Sequence, residues 1–154
     1  SGPQVEALAL KGKKFVELPY GVKVNDLSYS GLLSAAKKAL KSNSVEDVAF
    51  SLQEVAFSML AETTERAVAL TKKKEIMVVG GVAANKRLKE ILDKVAERHS
   101  SEVLVVPQEY AGDCGAQIAW TGALYYLKSF SVKPEEGFID QSWRIDEVDV
   151  PWRD

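Results

Sequence analysis

Apolar positions along this chain repeat with two different periods. From residue 45 to residue 70 they recur every three or four residues, which predicts one long amphipathic helix. Ser44, followed three residues later by Asp47, forms a near capping box at the expected start of that helix. Short, unbroken apolar runs at residues 76–79 and 103–106 instead predict buried strands, the second beginning at Glu102.

The other segments alternate in the same way between helix and strand. They predict a strand at residues 14–19 and helices at 31–41, from 85 onward and at 113–129. Such alternation is typical of an α/β fold, with a mainly parallel sheet flanked by helices and with ligands at the carboxyl ends of the strands. We expect residues 1–132 to form one lobe and the charged, aromatic-rich residues 133–154 to form a C-terminal extension.

Composition narrows the class of protein. A chain of 154 residues with 46% hydrophobic content is large enough for one domain with a core. The net charge of −2 argues against a lobe that binds nucleic acid unaided, because phosphate contacts need an excess of Lys and Arg. The single cysteine excludes an intramolecular disulfide, and no apolar stretch approaches the length of a membrane span. We therefore expect a cytoplasmic location and no membrane partner.

The junction after the strand at residues 76–79 is the first candidate site. The strand ends on Gly80 and Gly81, where a backbone without Cβ atoms can approach a ligand closely. Asn85 then opens the next helix, where N–H groups and the helix dipole favour an anion or a polar base edge. Close packing between strand and helix is the alternative explanation of the same pattern.

A second junction of this kind follows the strand at residues 102–106. Here the segment Ala-Gly-Asp-Cys-Gly-Ala begins at residue 111 and places Asp113 at the start of a helix. Taken alone, Asp113 is either a ligand-binding carboxylate or a plain N-cap, and the pattern leaves both open.

Four ordered motifs identify a family resemblance. They are Ser-Gly-Pro-Gln-Val-Glu at residues 1–6, Asp-Leu-Ser-Tyr-Ser-Gly-Leu at 26–32, Gly-Gly-Val-Ala-Ala-Asn at 80–85 and the segment at 111–122. Together they resemble the C-terminal half of the TsaD/Kae/Qri family. The residues of the motifs are more similar to the archaeal and eukaryotic branch, which works in the KEOPS complex. Those enzymes install threonylcarbamoyl on the adenosine beside the tRNA anticodon.

The resemblance implies a fold and a nucleotide site. The fold would be the second lobe of the actin, sugar-kinase and heat-shock-ATPase (ASKHA) superfamily. Gly2 and Glu6 would face the ribose of a bound adenylate. Asn85, with Gly80 and Gly81 making room, would contact the nucleotide or the threonylcarbamoyl group.

The resemblance also implies a metal site that this sequence contains only in part. Asp113 would contribute one ligand to a divalent ion such as iron or zinc. Family members carry a His-x-x-x-His pair in their N-terminal half, whereas this sequence has one histidine, His99, which we expect at a helix end. Cys114 and Gln117 replace residues that are usually Asn and Met, and Cys114 would either join the metal or fit the helix start. We expect the chain alone to be inactive and identify no general base in it.

The implied activity is transfer of threonylcarbamoyl from threonylcarbamoyl-AMP, an intermediate derived from ATP, to N6 of the tRNA adenosine. The implied partners are tRNA, the missing N-terminal half and KEOPS subunits including a small atypical kinase. Lys86 and Arg87 would touch tRNA phosphate or would be ordinary helix-end residues. Two alternatives stay open: a non-catalytic nucleotide-binding or KEOPS-docking module, and a kinase or ATPase of the same superfamily.

Overall fold

The structure, a computed structural model, describes residues 2–112, 114–144 and 147–152. Its elements in chain order are α1 (Gly2–Ala9), β1 (Val22–Lys23), β2 (Asp26–Leu27), α2 (Leu32–Ala39), α3 (Val45–Thr71), β3 (Glu75–Val78), α4 (Lys86–Arg98), β4 (Glu102–Val105), α5 (Gln108–Ala111) and α6 (Gly115–Leu127). Two short 3₁₀ helices, Gly81–Ala84 and Pro134–Glu136, complete the described structure. The elements fall into two units, Ser1–Ala111 and Gly112–Asp154. The domain boundary expected at residue 132 stays a prediction.

The long helix α3 is the centre of the first unit. It begins as the capping pattern predicts, because the Ser44 side chain accepts a hydrogen bond from the Asp47 N–H at 3.1 Å. Helices α1, α2 and α4 all pack against it. One apolar cluster surrounds Met59, which is 1% exposed, and a second contains Leu88 and Leu92 of α4. Burial on several sides of α3 therefore holds the surrounding helices in place.

Strands β3 and β4 form a parallel pair with α4 as the connection between them, so the α/β class is confirmed. Val78 and Val103 pack on the α4 cluster, whereas Met77 on the opposite face is 68% exposed. The parallel sheet has two strands, and β1 and β2 pair separately as an antiparallel ribbon. The sheet predicted as mainly parallel is thus two small sheets in the described residues.

The strand predicted at residues 14–19 is wrong. The backbone of this segment bonds to side chains of α3 instead of to another strand. The N–H groups of Lys13 and Lys14 donate to the Asp47 carboxylate at 2.8 and 2.9 Å, and the N–H of Val16 donates to the Ser51 hydroxyl at 2.7 Å. Those side chains satisfy donors that a strand would direct to a neighbour.

The same segment approaches α3 closely at Gly12. A Cβ atom at this position would lie 2.6 Å from the Glu46 carbonyl oxygen, which is closer than real contacts allow. Glycine therefore lets the chain leave α1 and run directly along α3.

The second unit is built around α6 and the segment that follows it. The Tyr125 ring lies edge-on to Trp152, with ring centroids 4.8 Å apart, and its hydroxyl donates to the Asp149 carbonyl oxygen at 2.7 Å. Phe130 also packs on Tyr125 at 5.2 Å. Trp152 thus packs back on its own chain, while Trp143 is 68% exposed.

Candidate functional site

A pocket of about 660 Å³ in the first unit lies between α1, α3 and the 3₁₀ helix that follows β3. The residues that line it are Gly2, Pro3, Val5, Glu6, Leu52, Gln53, Ala56, Phe57, Gly81, Val82, Ala84 and Asn85. Four of the predicted binding residues, Gly2, Glu6, Gly81 and Asn85, are among them, although their positions are up to 83 residues apart in sequence. Gly80, the fifth, precedes the 3₁₀ helix and is not one of the lining residues.

The two glycines after β3 differ in what the structure requires of them. Gly80 has a φ of +91°, a conformation that other residues rarely adopt, and it supplies the turn out of the strand. Gly81 has an ordinary backbone, and a Cβ atom there would meet nothing within 4 Å. The fold itself therefore requires glycine at position 80, while the open space at Gly81 belongs to the pocket.

Asn85 holds the junction between the 3₁₀ helix and α4. Its Oδ1 accepts a hydrogen bond from the Leu88 N–H at 3.1 Å, which makes it the N-cap of α4. Its Nδ2 donates to Oε1 of Gln53 on α3, also at 3.1 Å. The helix start predicted at Asn85 is confirmed, and its side chain links α4 to α3 at the wall of the pocket.

Glu6 reaches the same helix end from α1. Its Oε1 accepts a hydrogen bond from the Lys86 N–H at 3.4 Å, although the two residues are 80 positions apart. A carboxylate is stabilised at this place by the positive end of the helix dipole. Glu6 and Asn85 therefore already occupy two N–H groups that the sequence alone would assign to a ligand anion.

Arg87 fixes the first turn of α4 to α3. Its guanidinium group binds both oxygens of Glu54, with Nε–Oε1 and Nη2–Oε2 distances of 2.7 and 2.8 Å, and it also contacts Glu90. The hydrogen bonds to Glu54 and then to Glu90 raise the pKa of Arg87 further above its ordinary value. Because its donors are used in this way, Arg87 serves the packing of α4 on α3 in this structure.

The chemistry of the lining suits an uncharged, flat group. Apolar walls come from Leu52, Ala56, Phe57 and Val82, and the polar groups are one carboxylate and two amides. No lysine or arginine is among the described residues that line the pocket. Because phosphate groups bind where cationic side chains or open N–H groups converge, the arrangement fits a nucleobase and sugar better than a phosphate chain.

The predicted metal ligand, Asp113, lies outside the described residues. The described residues contain no group of three or more His, Cys, Asp or Glu side chains that could hold a metal ion. His99 is the C-cap of α4, as predicted, and its Nε2 lies 3.3 Å from Glu65 Oε1. Cys114 is a half-buried free thiol. The described part of the chain thus offers no donor set for a metal on its own.

Gln53 is the site residue that the sequence pattern did not single out. It lies in the middle of α3 and is 8% exposed, one of only three buried polar or charged residues among those described. A polar residue at a buried phase of an otherwise apolar helix face is the signal that points to it. The sequence alone does not show what it touches, because Asn85 lies 32 positions away.

A second pocket, of about 510 Å³, lies in the unit around α6. Tyr125, Tyr126, Phe130 and Trp143 contribute aromatic walls to it. It contains none of the residues predicted to bind nucleotide. Among the described helices, none has the length and apolarity needed to cross a bilayer.

These features define an α/β protein with a pocket beside the carboxyl end of a parallel strand, a common place for a nucleotide. Residues 1–120 match the model of the family TsaD, described as tRNA N6-adenosine threonylcarbamoyltransferase, and the chain belongs to this family.

Curated relatives carry matching names. The tRNA N6-adenosine threonylcarbamoyltransferase of Sulfurisphaera tokodaii is 54% identical over 97% of this chain and 45% of its own length. The corresponding protein of Caldivirga maquilingensis is 49% identical, over 97% of the chain and 46% of its length. A probable bifunctional tRNA threonylcarbamoyladenosine biosynthesis protein of Methanothermobacter thermautotrophicus is 49% identical over 98% of the chain and 28% of its length. The chain thus spans less than half the length of these relatives.

A solved structure shares the fold. The crystal structure of T. kodakarensis HypF matches 84% of this chain and 17% of its own with a TM-score of 0.63 and 23% sequence identity. At that identity the likeness concerns the fold alone.

Proposed function

We propose that this chain forms the nucleoside-binding part of a tRNA N6-adenosine threonylcarbamoyltransferase. The observation that carries the proposal is the pocket that gathers Gly2, Glu6, Gly81 and Asn85 from α1 and from the turn after β3. The family description supplies the reaction class, transfer of threonylcarbamoyl to N6 of a tRNA adenosine. The resemblance implies threonylcarbamoyl-AMP, formed from ATP, as the donor. The apolar walls supply a place for adenine, which directs the phosphate and threonylcarbamoyl groups towards the turn after β3 and Asn85.

Each polar residue keeps bonding capacity for this ligand. A carboxylate accepts several hydrogen bonds, so Glu6 can accept from a ribose hydroxyl while it holds the Lys86 N–H. The Asn85 amide has two N–H donors and uses one for Gln53, so the second is left for the nucleotide or for the threonylcarbamoyl group. Gly80 and Gly81 shape the turn whose backbone donors would face the leaving phosphate.

The proposed reaction is an acyl-type transfer. The N6 amino group of the tRNA adenosine attacks the carbamoyl carbon, and the new C–N bond replaces the bond from that carbon to the phosphate oxygen. AMP leaves with the bonding electrons, and N6 loses one proton. The part played by this chain is to hold the nucleoside so that the carbamoyl carbon faces the tRNA.

Further parts of the proposal come from the family resemblance. The chain is the second lobe of an ASKHA fold. Asp113 supplies one ligand to an iron or zinc ion, and the N-terminal half supplies the other protein ligands. Because the described residues contain no group of three or more His, Cys, Asp or Glu side chains, we assign no step of the reaction to the metal. The proposed partners are tRNA, that N-terminal half and KEOPS subunits including a small atypical kinase, and the proposed location is the cytoplasm.

The Asn85→Asp variant of the full-length protein tests the proposal. Aspartate keeps the acceptor that caps α4, so the fold should persist, but it loses the amide donors and adds a second negative charge to the pocket that Glu6 also lines. We expect threonylcarbamoyl incorporation into tRNA, measured by mass spectrometry of the nucleosides, to fall at least about tenfold. Asn43→Asp, between α2 and α3 and outside the pocket, is the matched control. Unchanged incorporation in Asn85→Asp would contradict the proposal.

A second candidate is a module that binds nucleotide without turnover. The pocket supports this candidate equally, because none of its lining residues makes or breaks a bond in the reaction proposed above. Titration calorimetry with ATP, on this chain alone and after addition of the N-terminal half, separates the two. Product in the mixture supports one half of a divided active site, whereas tight binding without product in either case supports the binding module. Phosphate release from ATP without a tRNA product would indicate a superfamily kinase or ATPase.

A further inference from the structure

The orientation of the Gln53 side-chain amide follows from the backbone of α4. The Leu88 N–H can only donate, so the Asn85 atom that caps it must be Oδ1. The other end of the Asn85 amide, Nδ2, therefore faces Gln53, and the atom of Gln53 that receives its hydrogen bond must be Oε1. This leaves Nε2, with two N–H donors, as the other end of the Gln53 amide.

The Gln53 Nε2 donors open into the pocket. Within the described ranges, Gln53 has no other hydrogen bond, and no fully buried side-chain nitrogen or oxygen lacks a partner. Nε2 is therefore not sealed in the core. Gln53 is 8% exposed and lines the pocket, so the exposed part of its amide faces the space between α1, α3 and the 3₁₀ helix.

The surroundings hold this donor firmly in place. On the next residue of α3, Glu54 binds Arg87 through two hydrogen bonds, so adjacent residues of α3 hold Asn85 and Arg87 at the start of α4. A buried amide fixed in this way loses little entropy when a ligand binds, which favours selective recognition. A ligand without an acceptor at that point would leave the donor unpaired, at a cost in affinity.

We propose that Gln53 is a specificity-determining residue whose Nε2 donates a hydrogen bond to an unprotonated ring nitrogen of adenine in the pocket. The identity of the ligand rests on the function proposed above. Adenine has three such acceptors, N1, N3 and N7, and the apolar side chains of Leu52, Ala56 and Phe57 provide walls for a flat ring. Gln53, oriented by Asn85, is thus the residue through which α3 selects the base.

Two variants of the full-length protein separate the donor from its structural role. Gln53→Glu keeps an oxygen for the Asn85 amide but replaces the donor group with an acceptor, whereas Gln53→Met removes both. We expect ATP binding, measured by calorimetry, to weaken at least about tenfold in Gln53→Glu. Gln4→Glu on α1 makes the same chemical change at a residue that does not line the pocket, and it should bind ATP as the unaltered protein does.

The deciding measurement is a cycle with 1-deaza-, 3-deaza- and 7-deaza-ATP. One of these analogues lacks the proposed acceptor, so it should bind the unaltered protein at least about tenfold more weakly than ATP. The same analogue should lose little further affinity in Gln53→Glu, because the bond is already absent. If Gln53 only held Asn85 in place, Gln53→Glu would weaken the binding of all three analogues by the same factor.

Equal affinity of the unaltered protein for ATP and all three analogues would overturn the proposal, as would fully additive losses in the cycle. The analogue series alone decides the matter if Gln53→Glu does not fold, which circular dichroism would reveal. Failure of the proposed function is distinct, because it is absence of threonylcarbamoyl transfer in a protein that still shows this pattern of nucleotide binding. A protein that binds no adenine nucleotide would overturn both.

Discussion

Helices α4 and α6 are both 13 residues long, yet they are packed very differently. Helix α4 is rich in charged residues and buries Leu88, Leu92, Val95 and Ala96 along one face. Helix α6 has no charged residue, and none of its residues is buried. The more apolar helix is thus the more exposed one.

The spacing of the apolar residues explains the difference. In α4 they fall on one stripe, which α3 and the parallel sheet can cover. In α6 the apolar residues surround the axis, a pattern typical of a helix enclosed on all sides in a larger protein. The chain spans 45% of the Sulfurisphaera relative. Helix α6 is therefore patterned for more covering surface than its described surroundings provide.

The largest expected effect on stability comes from truncating a leucine in the core, compared with a matched truncation at the surface. Leu92→Ala in α4 removes a side chain that is 2% exposed and should lower the free energy of unfolding by about 2 to 5 kcal/mol. Leu127→Ala in α6 removes one that is 77% exposed and should change it by less than about 0.5 kcal/mol. Denaturant unfolding of this chain measures both values. Equal costs would remove the contrast between the two helices.

Hydrogen exchange should show the same contrast in the backbone. Amides of α4 are protected by a buried face, whereas those of α6 have no buried side chains around them. We expect α6 amides to exchange at least about tenfold faster than α4 amides, because local opening costs less where little apolar surface is buried. Mass spectrometry of peptides from each helix measures the rates. Similar protection would mean that α6 is covered after all.

A smaller effect is expected from the ion pair that fixes α4. Arg87→Ala leaves Glu54, which is 17% exposed, without its partner and should cost about 1 to 2 kcal/mol of unfolding free energy. Lys89→Ala breaks an ion pair that lies entirely within α4, between Lys89 and Asp93. Both side chains are well exposed, so the unfolding free energy should fall by less than about 0.5 kcal/mol. If the two losses were equal, the pair would not anchor α4 to α3.

The smallest effect concerns acid stability. Hydrogen bonds from the N–H groups of Lys14 and Lys13, and then from Ser44, hold the pKa of Asp47 below its ordinary value of 3.8. The stabilisation is complete above the ordinary pKa and is lost as the pH falls through the lowered one. Asp47→Asn should therefore flatten the decline in stability below about pH 4.

Asp140 is the control from the other unit. Its pKa is also lowered, by the hydroxyl and N–H groups of Ser142. That contact spans two residues, whereas those of Asp47 to Lys13 and Lys14 span 34 and 33 and join separate segments. Asp140→Asn should leave the acid unfolding midpoint unchanged. A shift as large as that of Asp47→Asn would show that local turns contribute equally.

The features that the sequence predicted correctly are those that depend on residues close together in the chain. The caps at Ser44 and Asn85 were correct because each side chain bonds to a backbone group three residues away. The strand at residues 14–19 failed because its backbone bonds to side chains more than 30 positions away. The same limit explains why Gln53 was missed. Its role depends on Asn85, which only the packing of α4 on α3 brings near.

The polarity of the pocket wall has a main-chain origin. Two consecutive hydrogen bonds run from the Leu88 N–H to Asn85 and from Asn85 to Gln53. Their direction is set by the Leu88 N–H, a backbone group that every amino acid except proline carries. The direction of these bonds therefore does not come from the Leu88 side chain, whose part is to pack α4 in the core. The feature therefore depends on the side-chain amides of Asn85 and Gln53 and on one backbone group, not on the Leu88 side chain.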